Sequence, residues 1–126
     1  MIEDVRIYLA GLWIAVMLTY LLGDVLRIYA GDVTPGEING MRVTQGMMLG
    51  IAVLMLIPIV MVFLSLALPY PIIRWLSIIV AGFWFIFNLI GLPGYTGAYD
   101  RFLLAVSMIF NILTIIYAVR WESAAA

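Results

Sequence analysis

An all-α fold, a transmembrane four-helix bundle running up-down-up-down, is what this sequence predicts, and three observations carry the prediction. The first is composition: 67% of the 126 residues are hydrophobic and only 10% are charged. A soluble domain holds roughly 45–50% apolar and about 25% charged residues, and so small a domain has too much surface to hide such an excess. The second is four apolar runs, each long enough to cross a bilayer, which takes about 20 residues. The third is the placing of glycine and proline, which gather between those runs.

Span one is expected over 6–29, with Ile7 to Leu22 free of charge. Span two, 43–68, carries no charged residue, and span three, 72–92, has Arg74 only at its start. Span four, 99–121, is charged only at its ends, at Asp100, Arg101 and Arg120. None of the runs alternates over about 10 residues as a membrane β-barrel strand would. Residues 30–42, AGDVTPGEINGMR, form the only loop of any length. LPYP (68–71) and GLPGYTG (91–97) are tight joints, with Pro71 suited to opening span three. Such short connections favour antiparallel neighbours. The domain is expected to occupy 1–122, and the patternless SAAA at 123–126 is set aside as a disordered tail or a cloning remnant.

Composition also bounds the chemistry. There is no Cys and no His, and all six cations are Arg. Disulfides, thiolate nucleophiles and soft-metal sites are excluded, and no side chain has an unperturbed pKa near neutrality. The eight Met residues therefore read as apolar filler, without partners for a metal. The net charge of −1 offers no basic patch for nucleic acid. No phosphate-binding loop, dinucleotide motif, metal-ligand cluster or Ser/His/Asp set can be assembled. The expectation is a protein without enzymatic machinery, cofactor or metal.

An even number of spans puts both termini on one membrane face. That terminal face holds Glu3, Asp4, Arg6, Arg74, Arg120 and Glu122; the loop face holds Asp24, Arg27, Asp32, Glu37, Arg42, Asp100 and Arg101. Three Arg on each side leave the positive-inside rule tied. The free amino terminus tips the balance toward cytoplasmic termini in a multi-pass cell-membrane protein, and the acidic MIEDVRIY start, without the basic segment of a cleavable signal, reads span one as retained. Tyr8, Tyr70, Trp75, Tyr117 and Trp121 at one face, with Tyr29, Tyr95 and Tyr99 at the other, match the interfacial aromatic belt.

The candidate site lies at the loop face. Asp24 and Arg27 are three residues apart, so their side chains meet on one helix surface. Asp24 sits roughly 9 Å inside a helix ending near Ala30, at about 1.5 Å per residue. One reading is an anchor in which Arg27 snorkels outward and Asp24 leans on it. The other is a ligand site, because Gln45, Asn88, Asp100 and Arg101 place polar groups from the other three spans at a similar level. Intramembrane ionisable residues that face a bundle interior mark sites. A small polar molecule, an ion or a lipid headgroup would suit such a pocket.

Four further residues concern packing. Gly46 and Gly50 give the GxxxG spacing that permits close helix approach, within the chain or to a second copy. Pro58 removes a backbone donor in mid-span and implies a kink. Asn111, near the middle of span four, suits an interhelical hydrogen bond that fixes bundle or oligomer register. The expected partners are membrane lipid and either a second copy or another membrane protein. The functional expectation is a binding or assembly component; an oligomeric channel or transporter is the alternative.

The segments LWIAVMLTYLLGD (12–24) and IPIVMVFLSLALPYPIIRW (57–75) resemble a family of small prokaryotic four-span membrane proteins classed as a domain of unknown function. The Ile-Pro-Ile run, followed by Met61, Phe63, Leu64, Ser65 and Arg74-Trp75, is the most distinctive part, and the likeness extends from span one through span four. It implies the architecture and no activity. Such proteins often carry an acidic residue before the Ile-Pro-Ile run and a basic one after the serine. This chain has Leu56 and Leu66 there, so no polar pair in span two carries over. A remoter likeness to DoxX-like proteins rests on span count alone.

Overall fold

In the computed structural model, residues 4–31, 36–38, 41–94 and 97–121 are described. Four helices account for nearly all of them: α1 Asp4–Ala30, α2 Gln45–Ala67, α3 Tyr70–Gly91 and α4 Ala98–Val119. A single 3-10 turn, Leu92–Gly94, extends α3. All four helices are long and apolar enough to cross a membrane. The expected boundaries hold to within about two residues. Tyr95, Glu3, Asp32, Glu122 and the 123–126 tail lie outside the described residues.

The loop expected over 30–42 contains a feature that composition did not announce. Glu37–Ile38 and Met41–Arg42 pair as a short antiparallel ribbon, Glu37 opposite Arg42, and the Val43 amide donates to the Gly36 carbonyl at 2.8 Å. Gly36 sits at φ 87°, a left-handed backbone that glycine adopts without penalty. Thr44 then caps α2, its hydroxyl accepting from the Met47 amide at 3.1 Å. Pro69 precedes α3, and Pro71 occupies its first turn, where a missing N–H costs nothing.

The helices are mainly apolar, and small and polar side chains mark much of what they bury. α4 shows this best: its buried residues are Asp100, Leu104, Ser107, Asn111, Thr114 and Ala118, spaced alternately four and three apart. Most of that stripe is small or polar, while Phe102, Ile109 and Val119 face outward. Lipid is as good a solvent as leucine for an apolar side chain, so the inward face is the one where close approach or hydrogen bonding gains something. α4 thereby becomes central. It packs along both α1 and α3, and α1 packs in turn on α2.

α2 and α3 meet only sparingly, although just Leu68 and Pro69 separate them. The short joint makes them antiparallel, as expected, without making them close neighbours. α2 buries only Pro58, Met61 and Ser65, all in the half nearer the termini. It continues as one helix through Pro58. Gly46 and Gly50 take no part in packing within the chain. An added Cβ at Gly50 would meet nothing within 4 Å, and one at Gly46 would find only the Thr44 hydroxyl, 3.9 Å away.

The terminal half is a packed, mainly apolar core that also buries Ser65, Ser77, Asn111 and Thr114. Leu9 and Trp13 of α1, Met61 of α2, and Ile73 and Ala81 of α3 pack there with Ala118 and Trp121. Two arginines close it from below. Arg6 donates to the Leu68 and Ser65 carbonyls at 2.6 and 3.3 Å, at the end of α2. Arg74 donates to the Ala118 and Val119 carbonyls, both at 2.9 Å, at the end of α4. The last carbonyls of a helix have no partner within it, and a cation there also meets the negative end of the helix dipole. Trp121, expected in the interfacial belt, is turned inward. Arg6 lies over its ring and the Tyr70 hydroxyl donates to its carbonyl at 2.8 Å.

Arg74→Ala should therefore lower stability by about 1–2 kcal/mol, the worth of hydrogen bonds to a charged donor reduced for partial exposure. Thermal unfolding in a neutral detergent checks this. Arg74→Lys should recover only part of the loss, because an ammonium lacks the planar fork that spans two carbonyls.

Candidate functional site

On the loop side, all four helices line a half-open cavity of about 190 Å³. Its polar wall comes from Asp24 and Arg27 of α1, Asn88 of α3 and Asp100 of α4. Thr19 and Tyr20 of α1 add hydroxyls. The remaining wall is apolar or aromatic: Ile51 and Met55 from α2, Trp84 and Phe87 from α3, and Leu103 and Leu104 from α4.

Arg27 organises the polar wall. Its Nη1 donates to Asp100 Oδ1 at 2.9 Å, and its Nη2 pairs with Asp24 Oδ1 on its own helix. The two carboxylates differ in setting. The Asp100 side chain is 6% exposed and that of Asp24 55%, so one is enclosed and the other stands at the rim. Asp100 also lies in the first turn of α4, where the helix dipole favours a negative charge. Gly23, one turn before Arg27, lines the cavity, and a side-chain methyl would fit there in ordinary contact. A Cβ there would lie 3.7 Å from Arg27 Nη1 and 3.9 Å from Asp100 Oδ1.

Deeper in, Asn88 joins three helices. Its Nδ2 donates to the Tyr20 hydroxyl of α1 at 2.6 Å and to Ser107 Oγ of α4 at 3.4 Å. Ser107 in turn donates to the Leu104 carbonyl at 2.6 Å. The Tyr20 ring packs on Trp84 at 5.6 Å between centroids, and Trp84 meets Phe87 edge-on at 5.3 Å. Trp84 is buried, and among the described residues its indole Nε1–H has no acceptor.

Of the six residues that the sequence singles out, Asp24, Arg27, Asn88 and Asp100 line the cavity; Gln45 and Arg101 do not. Gln45 is the exposed first residue of α2, which reaches the cavity only at Ile51 and Met55, roughly 9 Å and more further along at about 1.5 Å per residue. Arg101 is exposed because consecutive residues point about 100° apart around a helix, so Asp100 and Arg101 cannot both face inward. Tyr20 and Ser107 were not foreseen. Their signal was available in spacing: Ser107 falls on the same small-and-polar stripe of α4 as Asp100 and Asn111.

Asn111 stands apart, fully buried below the cavity. Neither of its amide atoms has a hydrogen-bond partner among the described residues. A residue with no exposed surface cannot bond to a second copy, which removes the oligomer-register reading.

Fold and site together define a multi-pass membrane protein, a four-helix bundle with a part-polar cavity on its loop side. The chain belongs to the family of unknown function DUF6326, whose model matches residues 2–125. No curated protein and no solved structure matches it.

Proposed function

We propose that the protein is a non-enzymatic binding component of the membrane, holding a small polar molecule or a lipid headgroup in the loop-side cavity. The observation that carries this reading is the convergence of Asp24, Arg27, Asn88 and Asp100, from three different helices, on one cavity whose other wall is apolar. Concave, mostly apolar sites with a few convergent polar groups are the usual form of small-molecule sites. An anchoring role for Asp24 and Arg27 needs no such convergence.

The alternative, an oligomeric channel or transporter, needs a polar way from Asp24 past Asn111 to the terminal face. Leu9, Trp13, Met61 and Ile73 pack on that route with little or no exposed surface, although Ser77, Asn111 and Thr114 are buried there too; the close packing weighs toward binding. Assembly with a second copy or another membrane protein remains part of the reading. Gly46 and Gly50, unused within the chain, are the surface available for it. The termini are assigned to the cytoplasmic side, on the tie-breaking amino terminus alone.

Native mass spectrometry from nanodiscs tests the proposal. The expected spectrum shows one small molecule or lipid retained per protomer, and Asp24→Asn should reduce that retention several-fold without changing the melting temperature. A bare protomer under all gentle conditions, or equal retention by the variant, would sink the cavity reading.

A further inference from the structure

The cavity's electrostatics narrow what it takes. Three charged side chains line it: Asp24 and Asp100 are negative and Arg27 is positive, which leaves one net negative charge. The distribution matters more than the sum. Arg27 is committed to Asp100, which is enclosed, while Asp24 is more than half exposed at the rim and keeps accepting capacity. An anionic ligand would face two carboxylates. A neutral one would gain nothing from the carboxylate left at the rim.

Three of the lining residues are aromatic. Tyr20, Trp84 and Phe87 form a contiguous set, with neighbouring rings 5.6 and 5.3 Å apart. Ring faces carry negative charge density and attract cations, most strongly where water is excluded, and aromatic cages of this sort recognise ammonium groups. A cavity of about 150 Å³ takes up benzene, so about 190 Å³ suits a ring-sized body plus a small head.

We infer that the site binds an organic ammonium group, with the cation held by Asp24 and the aromatic rings and the apolar body against Ile51, Met55 and Leu104. This rests on the cavity reading above and adds the chemical class of the ligand. The same ammonium chemistry is offered by a free amine and by an ethanolamine lipid headgroup.

Three probes with the same phenyl body separate the possibilities: phenethylammonium, the neutral phenethyl alcohol and the anionic 3-phenylpropionate. Each is titrated calorimetrically into the full chain in a neutral maltoside detergent. Phenethylammonium should bind at least tenfold more tightly than the alcohol, and the carboxylate should not bind. Asp24→Asn, a substitution at an exposed position, should bring amine and alcohol to within about threefold of each other.

Equal affinity of amine and alcohol for the unaltered protein, tighter binding of the carboxylate, or an amine preference that survives Asp24→Asn would overturn the ammonium assignment and leave the cavity reading standing. Failure of all three probes, with nothing retained in nanodiscs, would remove both. Nanodiscs of mixed phosphatidylethanolamine and phosphatidylglycerol distinguish the sources. Selective retention of phosphatidylethanolamine assigns the lipid. Phenethylammonium binding with neither lipid retained assigns a free amine, and selective retention of phosphatidylglycerol contradicts the inference.

Discussion

Arg27→Met should be the most damaging single substitution on the loop side, lowering stability by about 3–5 kcal/mol, the usual cost of breaking a buried ion pair from one end. Arg27 is the one cation among the cavity-lining residues, and it serves two carboxylates. Without it, enclosed Asp100 keeps a charge that has lost its 2.9 Å partner, and Asp24 stands near it as a second negative charge. Methionine keeps much of the length and apolar contact of the arginine stem, so the loss reports on the guanidinium rather than on a packing void.

The cost belongs to the pairing and not to the mere presence of charge, and a double variant separates the two. Arg27→Met with Asp100→Leu removes both partners of the buried pair. Such replacements are often neutral or favourable, since the desolvation of both ions is relieved as well. The double variant should therefore regain at least half of what the single one loses, a coupling that a double-mutant cycle isolates. Asp24→Asn should shift stability by less than about 1 kcal/mol, as expected for a half-exposed pair. Thermal or denaturant unfolding in neutral detergent reads all three. If Arg27→Met unfolds with the unaltered protein, the Arg27–Asp100 pair does not tie α1 to α4.

Spans and turns were legible because their causes are local. Hydropathy over about 20 residues and the glycine–proline joints are properties of the chain alone. The level of Asp24, Asn88 and Asp100 could also be counted along the helices. Which way each side chain points around its helix could not, and this is where Gln45 and Arg101 were misplaced beside the residues that line the cavity. The arginines of the terminal face show the same limit. Arg6 and Arg74 read as interfacial charges, yet each donates to the carbonyl end of a helix far away in sequence. That role depends on which helix end lies alongside, which is a property of the packed bundle. The sparse contact between α2 and α3 runs against what their short joint implied. In lipid, a uniformly apolar helix such as α2 gains little by turning one face inward, so connection length alone does not decide its neighbours.

Asn111→Leu should stabilise the protein, by about 1–3 kcal/mol. The amide is 0% exposed, and neither its oxygen nor its nitrogen has a partner among the described residues. An unmade hydrogen bond in a buried setting costs about that much for each group, and in a bilayer the surroundings supply no water to relieve it. Leucine has the same branched heavy-atom skeleton and no polar atoms, so it removes the penalty while filling the site. The cost of its larger methyl groups sets the lower end of the range. Asn111→Ala provides the control: it also removes the amide but leaves a void, and it should fall below Asn111→Leu by the worth of the missing contacts. Because Asn111 sits on the inward stripe of α4, among Ser107, Thr114 and Ala118, its environment is helix on helix on every side. Higher melting temperatures for Asn111→Leu in detergent would mean that the asparagine is kept at a cost to stability. A lower one would show that its amide is satisfied in the membrane, by a shift of α4 that brings Ser77 or Trp13 within reach, each buried with a polar atom that has no partner among the described residues.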